Sequence, residues 1–157
     1  MKVYLDNCCY NRPYDDQSQL RISLESQAKL QIQSMIRDGQ IELASSYVLM
    51  YENSRNPYGS RKTAIKDFIK ANVTTYIDVD HAEEVKPLAD EIISTGTKTA
   101  DAYHLACAIL SESDVFLSTD DRLLKYRTDK IKLLDPTAFI REWEVPKNDD
   151  DESTQYS

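Results

Sequence analysis

The stretch Lys2-Val3-Tyr4-Leu5-Asp6 is short, rich in β-forming residues and closes on a carboxylate. It reads as a buried first strand whose polar end marks the start of a loop. Val115-Phe116-Leu117-Ser118-Thr119-Asp120 repeats the same order late in the chain, an apolar run ending in an acid. In open parallel sheets, ligands bind outside the carboxyl ends of strands, so Asp6 and Asp120 are candidate neighbours in space.

Working outward from that first strand, Asp6 to Pro13 reads as a loop, because Pro13 lacks the N–H that a regular helix uses. From Gln19 to Arg37, Leu20, Leu24, Ala28, Ile32 and Met35 or Ile36 recur at helical spacing, and Gly39 supplies a C-cap. Ile41 to Ala44 reads as a second strand. Ser45 or Ser46 can cap the following helix, which carries Glu52 and ends before Pro57. Arg61 to Ala71 is expected to be helical, Val73 to Val79 β-rich, and Ala82 to Ser94 helical with Pro87 starting or kinking it. Asp101 to Leu110 is apolar almost all round and therefore reads as a buried helix. Val115 to Ser118 and Ile131 to Leu134 are expected strands, Asp120 to Tyr126 a short helix and Pro136 to about Trp143 a final one. This alternation predicts an α/β, single-domain, three-layer α/β/α architecture with a parallel central sheet.

A chain of 157 residues with 41% hydrophobic and 29% charged residues fits one soluble domain over residues 1–145. Residues 146–157 read as an acidic, solvated tail containing Asp149, Asp150, Asp151 and Glu152. Those four acids account for half of the net charge of −8. The charge argues against a broad electrostatic grip on a phosphate backbone, leaving local bases such as Arg12, Arg55, Arg61, Lys62 and Lys98. No run of about 18 apolar residues occurs, and the N-terminal apolar run is too short for a signal peptide. A cytoplasmic location without membrane contact is the expectation. Cys8 and Cys9 are adjacent and Cys107 stands alone, so reduced thiols are expected, and the usual zinc-ligand spacing is missing.

Four carboxylates stand beside these apolar segments: Asp6 and Asp120 after strands, Glu52 and Asp101 on helices. Each has an ordinary reading. Asp101 is favoured by the helix macrodipole, Asp120 and Asp121 can cap or dress a turn, and Glu52 can be a surface residue. Taken together they form a set of hard oxygen ligands that, if clustered, need a cation such as Mg²⁺ or Mn²⁺ to stay ionised. Asn7, Ser46, Ser118 and Thr119 lie close by in sequence and can orient a carboxylate or water.

Four segments carrying these acids resemble the PIN domain, a metal-dependent nuclease fold common among bacterial toxins of type II toxin-antitoxin pairs. They are Val3-Tyr4-Leu5-Asp6-Asn7, Ser46 with Glu52 six positions on, the Ala-rich run Asp101-Ala102-Tyr103-His104-Leu105-Ala106-Cys107-Ala108, and Phe116-Leu117-Ser118-Thr119-Asp120-Asp121-Arg122-Leu123-Leu124. The likeness spans about Lys2 to Phe139. Asn7 departs from the Thr frequent at that position, and Asp121 leaves the register of the fourth acid open by one residue, with Asp120 favoured because Ser118 then falls two positions before it.

The resemblance implies an endoribonuclease in which Asp6, Glu52, Asp101 and Asp120 are catalytic and, with Asp121 as an alternative, hold Mg²⁺ or Mn²⁺. The ion would activate water against an RNA phosphodiester and leave a 5′-phosphate and a 3′-hydroxyl. Asn7, Ser46, Ser118 and Thr119 would support the ligands. It also implies an antitoxin protein partner, for which the long helix and the tyrosines offer interface material, and a homodimer. His104, three residues after Asp101, reads as a packing or hydrogen-bonded histidine rather than a base. The loop Asn11 to Asp16 has no chemical assignment, and Arg12 could meet a phosphate or close the loop on an internal acid. Two rivals stand beside this reading: a noncatalytic PIN-like interaction domain, and an acidic-pocket signalling domain phosphorylated on Asp6.

Overall fold

A computed structural model of the chain describes residues 1–144; the reading of residues 146–157 as a tail lies outside them. Five parallel strands, β1 (Lys2–Leu5), β2 (Glu42–Ser46), β3 (Val73–Ile77), β4 (Val115–Leu117) and β5 (Lys132–Leu134), form one sheet in the order β3-β2-β1-β4-β5. The chain builds the sheet outward from β1 in one direction, through β2 and β3, and then in the other, through β4 and β5. The order therefore reverses between β1 and β4. A crevice opens at such a reversal, beyond the carboxyl ends of the two strands.

Burial on both faces explains why β1 reads as continuously apolar. In register, Tyr4 sits between Ala44 and Phe116, and its ring stacks on Phe116 with centroids 5.6 Å apart. That row packs against α5 (Ala82–Ile93) and α6 (Thr99–Leu110) through Val85, Ala89, Leu105 and Ala106. Val3 and Leu5 point to the opposite layer, where Ile32 and Ile36 of α2 (Leu20–Arg37), Leu49 of α3 (Tyr47–Ser54), and Ile65 and Ile69 of α4 (Gly59–Asn72) meet them. Phe139, on a helix over residues 136–144, closes this layer. The expected three-layer α/β/α domain is the one observed.

Two expectations are corrected. Asp6 to Pro13 is not a loop: Asn7–Asn11 is a helix, α1, and Arg12–Tyr14 a 3-10 turn. Asp6 caps α1 by accepting from the Asn7 N–H, and Pro13 falls in the first turn of the 3-10 segment, where its missing N–H costs nothing. The second concerns α2. Leu20 and Leu24 face solvent at 74% and 45% exposure, while Glu25, Ser26 and Lys29 are buried in their place.

The Arg12–Tyr14 turn lies over that half of α2. Ser26 Oγ donates to the Arg12 carbonyl at 3.0 Å, and Arg12 Nε meets Glu25 Oε1 at 3.2 Å. A polar cover thus selects a polar inner face, and the apolar residues turn outward. Arg12 also pairs with Asp15 at 3.2 Å, which closes the loop internally, and Tyr14 lies under the Arg61 guanidinium, 4.7 Å from its ring centroid.

Candidate functional site

Asp6 is buried at the end of β1, where its N–H extends the sheet ladder to the Leu117 carbonyl at 2.9 Å. Its Oδ1 accepts from the Asn7 N–H at 2.8 Å, and its Oδ2 accepts from Ser118 Oγ at 2.9 Å and from Cys8 Sγ at 3.3 Å. Ser118 Oγ in turn accepts from the Asp120 N–H at 3.1 Å. One buried hydroxyl therefore ties the acid after β1 to the acid after β4. Asp120 caps α7 (Asp121–Leu124), its Oδ1 accepting from the N–H groups of Arg122 and Leu123.

Asp101 occupies the first turn of α6 and faces the same crevice. Burial, then the negative charges of Asp6 and Asp120, push its pKa up to about 6. Asp6 and Asp120 both lie close enough to act on Asp101, so the acids expected from two strand ends and one helix start meet at one crevice. Asp121 stands apart: it is exposed and held by Arg21 at 2.7 and 2.8 Å, whereas Asp120 is the one of the two whose charge acts on Asp101.

Glu52 reaches the crevice from α3 through His104. The imidazole is fully enclosed, with Nε2 at 2.9 Å from Glu52 Oε1 and 4.0 Å from Asp6 Oδ1. On its other side Nδ1 bonds the Tyr4 hydroxyl at 2.9 Å, which bonds Ser46 Oγ at 2.6 Å. Ser46 is the N-cap of α3, accepting from the Leu49 N–H at 3.3 Å. Burial opposes the imidazolium, but the Glu52 hydrogen bond and the charges of Asp6, Glu52 and Asp101 outweigh it and raise the His104 pKa.

Of the supporting residues, Ser46 and Ser118 hold acids or their relay. Asn7 contributes its backbone N–H to Asp6 while its side chain accepts from Asn11, and Thr119 donates its N–H to Cys8 Sγ. Sequence reasoning missed Tyr4 and Cys8 as members of this network. A tyrosine in a buried strand carries a hydroxyl that must find a partner, and that signal was available. Cys8 gave no comparable signal.

Among the described residues, no lysine or arginine pairs with Asp6, Asp101 or Asp120. Nor, among these residues, do three His, Cys, Asp or Glu side chains close into a ready metal cage. The donors fit Mg²⁺ or Mn²⁺ in kind: they are hard oxygens, close enough that the charges of Asp6 and Asp120 help raise the pKa of Asp101, and they lack a paired cation among the described residues. An ion held there would keep part of its coordination as water, as Mg²⁺ commonly does.

No family model and no curated sequence matches the chain. Solved structures do. A chain of VapBC2 from Rickettsia felis, crystallised with a DNA fragment from its promoter, superposes with a TM-score of 0.52 at 14% identity, covering 86% of this chain and 98% of that one. A chain of FitAcB from Neisseria gonorrhoeae superposes with a TM-score of 0.50 at 15% identity, covering 85% and 97%. The chain has a PIN-like fold. At these identities the likeness concerns the backbone, and the crevice of this PIN-like domain is described by its own side chains. No helix among the described residues is long and apolar enough to cross a membrane.

Proposed function

We propose that this protein is a Mg²⁺- or Mn²⁺-dependent endoribonuclease that acts as the toxin of a toxin-antitoxin pair. The observation that carries the reading is the group formed by buried Asp6 and partly exposed Asp101 and Asp120 at the sheet's reversal point, without a basic partner among the described residues. Asp6, Asp101 and Asp120 would hold the ion, with Glu52 at the rim of the site. When bound, the ion supplies Lewis acidity at a phosphodiester and makes water a better nucleophile.

The chain's own groups fix the rest. Ser118 holds one oxygen of Asp6 and the backbone of Asp120, so the two carboxylates keep their separation as charge accumulates. His104 presents Glu52 toward the crevice, and the pair can retain a proton between Nε2 and Oε1. Helix α6 offers Asp101 on a rigid buried frame. A carboxylate positioned this way can orient water in line with a scissile P–O bond.

The partner reading rests on two supports. The similar folds come from two-component complexes, and α2 turns Leu20 and Leu24 outward, where they line a cavity of about 300 Å³ together with Arg21, Asp135 and Arg141. An antitoxin segment with apolar and charged groups suits that face, and a symmetric dimer of the chain is a further expectation. Incubation of a structured and an unstructured RNA with Mg²⁺ or Mn²⁺ tests the activity: cleavage abolished by chelator and by Asp120→Asn or Asp101→Asn supports it. Cleavage surviving both substitutions would sink it.

A further inference from the structure

We infer that a second, basic groove beside the acid cluster carries the RNA backbone away from the scissile phosphate, an assignment that rests on the nuclease reading above. The groove has a volume of about 430 Å³, and Asp101 is one of its lining residues. One wall is the turn Thr95-Gly96-Thr97-Lys98 between α5 and α6, and the other is Arg122, Lys125, Tyr126 and Arg127 at and beyond α7.

Charge distinguishes this groove from the rest of the molecule. The chain carries a net charge of −8, yet four cations and one carboxylate line this one depression. Among the described residues, the side chains of Lys98, Arg122, Lys125 and Arg127 make no salt bridge and donate no hydrogen bond. Several cations elsewhere are engaged, Arg12 and Arg21 with Glu25, Lys132 with Glu142 and Arg61 with the rings of Tyr14 and Tyr58, and uncommitted ones such as Lys66 and Lys70 do not line this groove. Four uncommitted cations on one concave surface repel one another, and an anionic polymer relieves that repulsion.

Direction follows from connectivity. Asp101 both lines the groove and belongs to the acid cluster, so a phosphodiester held at the acids adjoins the basic channel. Successive phosphates would meet the side chains of Lys98 and Arg122 first and those of Lys125 and Arg127 farther out. This contact reads the backbone, and its sequence-independent strength depends on salt. It also revises the set of local bases expected from sequence, of which only Lys98 lies here.

The test uses the full chain, the double variant Lys125→Ser/Arg127→Ser, and a control with the same charge change, Lys66→Ser/Lys70→Ser, on the exposed side of α4 behind the opposite face of the sheet. Lys98 and Arg122 stay intact because they adjoin the acids. Binding of a fluorescein-labelled single-stranded RNA is read by anisotropy in chelator over a salt series. The groove variant is expected to bind on the order of 10-fold more weakly and to lower the slope of log affinity against log salt by about 1.4, at about 0.7 per phosphate contact on single strands. With Mn²⁺ it should raise KM for RNA while hydrolysis of bis(p-nitrophenyl) phosphate, too small to span the groove, stays at the wild-type rate. Unchanged RNA affinity and salt slope in the groove variant, or an equal loss in the control, overturns the assignment and leaves the groove to a protein partner. Wild-type protein that binds RNA through the groove yet hydrolyses neither substrate keeps the groove and removes the nuclease reading.

Discussion

Nε2 of His104 lies 2.9 Å from Oε1 of Glu52, joining α6 to α3 across the mouth of the crevice. The histidine is enclosed and the glutamate only partly so, with its side chain 32% exposed. His104 therefore acts as a fixed post from which Glu52 is presented. His104→Gln should lower kcat by about 10- to 100-fold, the range seen when outer-shell partners of metal ligands are lost, with a smaller effect on KM for RNA. A parallel rise in KM with kcat preserved would contradict a positioning role.

The same pair makes stability depend on pH. The folded pKa of His104 is raised above 6.5, so the stabilisation from its charged form is fully present below 6.5 and is lost as pH rises through the folded value. Metal-free wild-type protein should lose thermal stability relative to His104→Gln as pH is raised above 6.5 and through the elevated folded value. Thermal scans of both proteins in chelator check the difference, which should vanish if the imidazole is neutral throughout.

Asp101 titrates with the opposite consequence for a bound cation. Its pKa is pushed up to about 6, so below that pH a proton competes for the oxygen that an ion would use. Mn²⁺ affinity measured by calorimetry should rise as pH increases through 6, with protons released on binding near that pH. In metal-free protein at pH 7 the carboxylate is held in a charge state that burial and its neighbours disfavour, so Asp101→Asn should raise the melting temperature while abolishing Mn²⁺ binding. A pH-independent affinity would place the ion elsewhere.

Ser118 offers a test of the link between strands. Its hydroxyl donates to Asp6 and accepts from the Asp120 N–H within the interior. Ser118→Ala leaves the Asp120 N–H unmatched and Asp6 Oδ2 with only the weaker Cys8 thiol donor, and should cost about 1 to 3 kcal/mol of stability, read by urea denaturation. Ser118→Thr, which keeps the hydroxyl, should recover most of the activity lost in Ser118→Ala if the group serves to hold the acids.

Much of this was legible in the chain because the relevant signals are local. Strands buried on both faces show as short apolar runs, and an acid at the end of each of two neighbouring runs marks the crevice before any coordinates exist. Position ahead of an apolar helix narrowed its cap to Ser45 or Ser46, and the structure has Ser46 there. What failed was decided by tertiary contact. The inner face of α2 is set by the Arg12–Tyr14 turn laid over it, and no periodicity within Leu20–Arg37 contains that information. The Tyr4–His104–Glu52 connection spans three elements far apart in sequence, so each residue had an unremarkable reading alone.

Lys29 tests the same principle energetically. It is buried on α2 with its ammonium 5.5 Å from the Tyr10 ring centroid and 6.0 Å from that of Phe68. Burial lowers its pKa from 10.5 to about 8, and the two rings stabilise the cation too weakly to reverse that. Between those values the unfolded chain binds a proton that the folded chain releases, so this group makes stability rise with pH across the window. At neutral pH the buried charge costs about 3 kcal/mol, the free-energy equivalent of such a displacement. Lys29→Met keeps the length of the side chain and removes the charge. It should therefore raise the denaturation midpoint at pH 7, and the advantage over wild type should shrink as pH climbs from 8 to 10.5. Cys9 and Tyr10 adjoin Lys29 and remain in both proteins; burial raises both pKa values, and because Lys29 offsets part of the rise at Cys9, the difference between the proteins reads the lysine together with that coupling. A variant less stable than wild type at pH 7 would mean that Lys29 contributes more through its contacts with Tyr10 and Phe68 than its desolvation costs.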